Sequence, residues 1–432
     1  MIIKKYATGL ALVTAASLTL TACGRDSGGD TANAPATPAA TAIDDSPAKG
    51  EITVWAMGGE GDQMPKIGEA FQQANPEAKV TVTGVPWDDA PTKISTAIAS
   101  GQTPDVTLLN PDALATFVAA KGFAPVPAGL IDESGFDANA IAATKISGAS
   151  YAVPLYVDTR TLFYRKDLAE KAGVAAPKTW AELNTFGAAL KKAGAKEGLL
   201  LATGEAGFTH QVLLPYIWQA GGALTNADQT EFTLNTPQVI EGLAKYQSLV
   251  KDGVSSQTGT YEPWGSVEER LARGEVGSVV NGSWLIGPLK ELLGDEFDQK
   301  IGIATVPAGA GGGVSWLSGG QLAVFADAKN PDGAWKFIRF ISTPEQAASF
   351  SELTADLPAV TAAWGVAGLD KDPAVAVFND QLKSTATPPV IPTWAQLSAI
   401  VDGYGERLAR GTITPQDAAA GLQQDMSAVG LK

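Results

Sequence analysis

From Glu51 onward, apolar runs too short to be helices alternate with stretches whose apolar residues recur every three or four positions, a pattern that restricts the chain to an α/β design. Ile52, Val54 and Met57 mark a first strand, and Met64, Ile67 and Phe71 fall on one face of a helix that Asn75 and Pro76 end. Val80 and Val82 alternate as a second strand. Ile94, Ala97 and Ile98 give a second helix, with Gly101 suited to its left-handed cap, and the strand 105–109 follows. The alternation resumes after Tyr164, where Thr179 is placed to cap a helix opening at Trp180. Helices are expected over 237–249 and 266–273, and a strand over 276–280. Thr414, Pro415 and Asp417 supply a cap, a first-position proline and a first-turn acid for a closing helix. Strand followed by helix, repeated, predicts parallel or mixed sheets covered on both faces; no solenoid period is present. A single core serves about 250–300 residues, so the 432-residue chain calls for two lobes.

The N-terminus fixes the compartment. Lys4 and Lys5 precede an apolar run at 10–20, which reads as a secretory signal over residues 1–22 and is too short for a bilayer core of about 30 Å. Leu20, Thr21, Ala22 and Cys23 resemble a bacterial lipobox, which implies cleavage before Cys23 and a diacylglyceryl group on its thiol. Two acyl chains, each worth about 0.8 kcal/mol per buried methylene, would anchor the chain to the membrane. Cys23 is the only cysteine, so neither an internal disulfide framework nor a thiolate metal cluster is available. Residues 24–49 are small and polar, with Ile43 the one large apolar side chain, and are expected to form a disordered tether with Cys23 at its head. A net charge of −15 makes nucleic acid a poor partner.

No GxxxxGK[ST], HExxH or GxSxG motif supports phosphoryl transfer, zinc proteolysis or esterolysis. Asp88 and Asp89 invite a glycoside hydrolase reading, but neighbours on a strand face opposite ways and make a poor acid and nucleophile pair. Separated carboxylates could still meet in space. With one His and one Cys, a zinc site has no ligand set, and neither metal nor cofactor is expected.

The order of segments resembles the extracellular solute-binding proteins of the maltose-binding type, from about Glu51 to the end. Residues 52–55 are similar to that family's first strand, 71–76 to the end of its first helix, and 103–106 to a strand entry. Residues 151–154 and 162–168 resemble its crossover, 177–180 the helix that follows, and 281–284, preceded by Gly274, Glu275 and Val276, a further loop. The resemblance implies a two-lobed α/β fold of the periplasmic-binding-protein type II class, with the ligand between the lobes. Residues 50–157 and about 315–365 would form one lobe, 158–314 and about 366–432 the other. The implied protein is a monomeric carbohydrate receptor on the outer face of the membrane that delivers its ligand to the permease subunits of an ABC importer, not an enzyme. Receptors for peptides, polyamines or metal ions share this architecture and are the alternatives.

A pyranose presents apolar faces and a rim of hydroxyls, so its site needs flat rings together with carboxylates, Arg or amides. Among ten Trp, those beside loop residues are the stacking candidates: Trp284 first, in the matched loop, then Trp264 and Trp316, and also Trp55, Trp87 and Trp394. Trp180, Trp218, Trp335 and Trp364 sit in helical patterns and are read as core. Asp158 and Arg160 occupy the crossover where the family places a ligand-binding carboxylate, with an interlobe ion pair as the competing role. Asn110 and Asp112 follow a strand end, where helix capping competes. Glu60 lies in the glycine-rich stretch 58–61, Asp88 follows Trp87, and Gly319 and Gly320 form a second glycine-rich turn after Trp316. Glu205 and His210 complete the candidate set, His210 being equally suited to the cleft or to a packed interior.

Overall fold

The computed structural model describes residues 42–203, 208–256 and 266–432. Strand β1 (Gly50–Met57) buries Ile52, Val54 and Ala56 and runs directly into helix α1 (Gly58–Ala74). The stretch 58–61 is thus helical, not the loop its glycines suggested. Gly58 adopts φ +51 beneath the Trp87 indole, and a Cβ on Gly61 would lie 2.7 Å from the Ala56 carbonyl oxygen, so these positions let the helix begin against the strand end. Met64, Ile67 and Phe71 are buried as their spacing predicts. Strand β2 (Ala78–Val85) lies parallel to β1, and helix α2 (Ala90–Ser100) ends at Gly101 with φ 66. Strand β3 (Val106–Leu109), wholly buried, is parallel to β1 on its other side.

At Arg160 the chain leaves one sheet for another: β4 (Val153–Thr159) belongs to the first, and β5 (Thr161–Arg165) to the second. The second sheet places β5 between β6 (Ser278–Asn281) and β7 (Ile301–Ala304), both antiparallel to it. Val276, expected inside this strand, instead makes a separate parallel bridge with Glu197. The chain then returns as β8 (Ser315–Val324), which lies antiparallel to both β3 and β4. With the short β9 (Leu357–Pro358) beside β4, the first sheet runs β9, β4, β8, β3, β1, β2, and β10 (Thr385–Ala386) pairs with the start of β8.

Residues 317–320 form the middle of β8 rather than a turn. Gly319 and Gly320 are needed there because Tyr156 crosses so closely that a Cβ at either position would overlap its carbonyl or its ring. The β8 to β4 register shifts between Gly320 and Gln321, a local irregularity of the kind that re-aims side chains.

Helix α3 (Trp180–Ala193) carries the expected cap, with Thr179 and Glu182 forming a reciprocal capping box. Helices α4 (Thr209–Gln219) and α5 (Pro237–Lys251) pack on each other; α6 (Pro331–Ile341) and α7 (Pro344–Thr354) cover the first sheet and α1. Helices α8 (Trp394–Ala409) and α9 (Pro415–Val429) close a helical core with α4 and α5 through Leu213, Tyr246, Leu397, Leu408 and Leu422. Each such fully buried apolar side chain contributes about 1.5–3 kcal/mol. The expected tether does not reach residue 49. Lys336 of α6 holds Asp44 at 2.8 Å, Arg339 holds Asp45 at 3.2 Å, and the buried Ala48 donates its N–H to Asn75 Oδ1 at 2.8 Å. Ion pairs supplied by a helix far along the chain, with Ile43 and Ala48 packed against the core, order a segment that has no apolar periodicity of its own.

Candidate ligand-binding site

Arg160 sits where the chain changes sheets, and its planar guanidinium is engaged on three sides. Nη1 donates to Asp158 Oδ2 and Nη2 to Gln211 Oε1 of α4 at 2.9 Å, while the guanidinium carbon lies 4.5 Å from the Trp284 ring centroid. Trp284 belongs to the single turn Ser283–Leu285 that follows β6, and pairing of Asn281 with Thr161 brings that turn back to Arg160. Asp158 and Arg160 are buried and Trp284 is half-buried. Forked bonding and ring stacking from one side chain are what a guanidinium does and an ammonium does not.

A group of carboxylates gathers beside this assembly. Leu357 pairs with Val157 and Pro358 with Tyr156, so the antiparallel register carries Asp356 opposite Asp158. Tyr156 lies two residues from Asp158 on the same face of β4, and its hydroxyl donates to Glu60 Oε1 at 2.6 Å. The Trp87 indole N–H donates to Glu60 Oε2 at 3.4 Å. Burial raises the Glu60 pKa and the nearby Asp158 adds to it, against the bonds from Tyr156 and Trp87. Burial pushes Asp356 well above the usual carboxylate range, with Glu60 and Asp158 reinforcing it. Asp158 is also raised by burial, which outweighs the opposing pull of Arg160. Burial and the three carboxylates together push the Tyr156 hydroxyl far up. Asp158 Oδ1 and Asp356 Oδ2 are buried without a hydrogen-bond partner.

The sequence reading did not single out Tyr156 or Asp356. The two-residue period of a strand that already holds Asp158 marks Tyr156, whereas only the pairing of β9 reveals Asp356.

The remaining candidates form a second cluster or stand apart. Asp402 Oδ1 accepts the His210 backbone N–H at 2.6 Å and lies 3.0 Å from its ring Nδ1. That ring meets Trp316 edge-on at 5.5 Å and Trp394 at 5.9 Å. Trp316 is 1% exposed and stacks on Trp218 at 5.8 Å, so the structure places it in the interior. Asp112, in the turn Pro111–Ala113, is raised by burial, with His210 and Trp394 opposing. Asn110 begins that turn through its carbonyl, which accepts from Ala113 N–H at 3.2 Å, and its side chain makes no capping bond. Trp55 is engaged by Phe325 at 6.3 Å and by Lys93 at 4.7 Å. Asp88 is exposed. Cys23, Glu205 and Trp264 lie outside the described residues. The structure therefore joins Asp158, Arg160 and Trp284 in one assembly, connects Glu60 and Trp87 to it through Tyr156, and gathers Asp112, His210, Trp316 and Trp394 in another.

Two cavities adjoin the first assembly. One is lined by Tyr156, Ser318 and Gln321 among others; the second lies beside Arg160 and Gln211 and is walled by Leu199, Leu200 and Leu201. Among the described residues no group of three or more His, Cys, Asp or Glu is arranged to hold a metal ion, and no helix is long and apolar enough to cross a membrane.

The family model for bacterial extracellular solute-binding proteins matches residues 57–348. The GacH receptor of Streptomyces glaucescens GLA.O, solved unliganded and in complex with acarbose and an acarbose homolog, is 27% identical, with a TM-score of 0.80 over 88% of this chain and 98% of its own. The sugar-binding protein MalE from Xanthomonas citri is 26% identical, with a TM-score of 0.78 over 88% and 97% of the two chains. The sn-glycerol-3-phosphate-binding periplasmic protein UgpB of Salmonella typhimurium is 27% identical over 407 residues, 85% of this chain and 89% of its own.

Proposed function

Because the chain belongs to the bacterial extracellular solute-binding protein family and has the two-lobed α/β fold of its sugar-binding neighbours, we propose that it is the carbohydrate receptor of an ABC importer. It captures a di- or oligosaccharide by closing the lobes and hands it to the membrane permease. One observation carries this reading: Arg160, at the crossover between the sheets, is forked between the buried Asp158 and Gln211 and stacked on the half-buried Trp284. A flat ring beside fixed ionised groups matches the two surfaces of a pyranose, apolar face and hydroxyl rim.

The first lobe, residues 50–157 with about 315–365, supplies Glu60, Tyr156 and Asp356, and the second, 158–314 with about 366–432, supplies Arg160, Gln211 and Trp284; Asp158 stands at the seam. Hinge closure about such crossovers leaves each lobe rigid. The chain acts by binding and not by catalysis, as a monomer, held to the outer face of the membrane through a lipid on Cys23. Glycerol 3-phosphate, which UgpB is named for, suits this site poorly, since three carboxylates against one Arg repel a phosphate.

Calorimetric titration tests the proposal. Heat with neutral di- or oligosaccharides is expected, and Trp284→Ala should weaken the dissociation constant by about 10- to 100-fold, or about 1–3 kcal/mol. Heat only with peptides, polyamines or Zn²⁺ would overturn the reading, and an unchanged constant in the variant would remove Trp284 from the site.

A further inference from the structure

Glu60, Asp158 and Asp356 reach the neighbourhood of Tyr156 from the first turn of α1, the end of β4 and the residue ahead of β9. Arg160 Nη1 pairs with Asp158, and its second terminal nitrogen and its flat face are taken by Gln211 and Trp284. Among the described residues, one guanidinium thus answers three carboxylates. Hydroxyls of a neutral sugar would fill lone pairs on these oxygens yet leave the charge excess in a buried place, where charge is costly. A small metal ion does not fit, because the three groups are not arranged to ligate one. An organic ammonium supplies both what is missing, positive charge, and up to three donors spread wider than a metal's coordination sphere.

An independent feature shows what the rest of the ligand looks like. Gln321, 1% exposed, has neither its amide oxygen nor its amide nitrogen hydrogen-bonded, and it lines the cavity shared with Tyr156 and Ser318. Ser318 stands opposite Asp158 in the β8 to β4 register. An amide with both ends open is matched by hydroxyls, each of which donates and accepts. A polyol recognised at Gln321 therefore lies next to the carboxylates.

We propose that the carbohydrate taken by this site is an aminated sugar, its protonated amine held among Glu60, Asp158 and Asp356 and the hydroxyls of the adjoining ring by Gln321. The proposal rests on the carbohydrate reading above and narrows it. Burial raises the pKa of all three carboxyls, because each lacks partners enough to hold its charge, and a bound ammonium would supply the partner that keeps them ionised.

The test is calorimetry on the full chain at pH 7 with matched pairs: cellobiose against the glucosamine disaccharide of the same linkage, and maltose against its 6′-amino-6′-deoxy derivative. In at least one pair the amine should bind tenfold or more tighter, and N-acetylation of the glucosamine disaccharide should abolish any gain seen there. Asp356→Asn and Glu60→Gln, each checked for folding by circular dichroism, should each reduce the preference at least fivefold. Equal affinity within both pairs, or a preference that survives in both variants, overturns the proposal. Binding of neutral sugars without an amine preference overturns it while leaving the carbohydrate reading in place. No heat with any sugar, or heat with spermidine or sn-glycerol 3-phosphate alone, overturns both.

Discussion

Around Trp284 and around Trp316 the chain gathers the same ingredients, an indole, a basic side chain and carboxylates, and the two assemblies finish in different states. Trp316 is stacked on Trp218 and met by the His210 ring, which Asp402 holds in place, so packing occupies the cluster. Trp284 stays half-buried under Arg160, beside carboxylates two of whose oxygens have no partner. An aromatic residue next to charge is therefore no mark of a binding site by itself. What separates the two clusters is access to the ring: Trp316 is enclosed by Trp218 and His210, whereas Trp284 keeps part of its surface open.

Four substitutions probe that distinction. Arg160→Gln should have the largest effect, since it strands Asp158: unfolding free energy falls by about 3–5 kcal/mol and sugar binding drops below detection. A variant that still binds and melts normally would place Arg160 outside both roles. Trp316→Ala should match that loss of stability, about 3–5 kcal/mol by cavity formation, yet leave the dissociation constant within about threefold. A collapse of affinity with stability intact would erase the contrast. Trp284→Ala should do the reverse, weakening binding by about 1–3 kcal/mol with a change in melting temperature of about 2 °C or less.

Asp356→Asn should give the smallest change, and one of opposite sign. A carboxyl whose pKa is raised on folding binds more protons in the folded state than in the unfolded one. Its contribution to stability is then fully present below the unfolded value of about 4 and lost as pH rises through the folded value. The unliganded protein should thus grow less stable from about pH 4 toward neutrality. Asp356→Asn should flatten that slope and raise the melting temperature at pH 7 by about 2 °C. Thermal unfolding across this range, with a steeper slope in the variant, would reject the assignment.

Much of the fold was legible because its signals are local. Gly101, Thr179 and Thr414 end or begin helices through their own backbone or side-chain chemistry, and the structure uses each as expected. Residues whose meaning depends on a distant strand were not. Gly319 and Gly320 look like a turn until Tyr156 is laid across them, and Asp356 has no distinguishing neighbour until β9 pairs with β4. Trp284 and Trp316 both stand near small, turn-forming residues, and only Trp218 and His210, brought in by α4, set them apart. Residues 42–49 carry no apolar pattern, so their docking on Lys336 and Arg339 could not be read from composition.

That docking has a mechanical consequence. Asp44 and Asp45 are gripped by α6, which packs on β1, so tension arriving along the N-terminal chain is borne by the sheet that carries Asp158 and on which α1, with Glu60, packs. Were the chain moored through Cys23 as proposed above, that half would be leashed to the cell and the half bearing Trp284 left free to close over it.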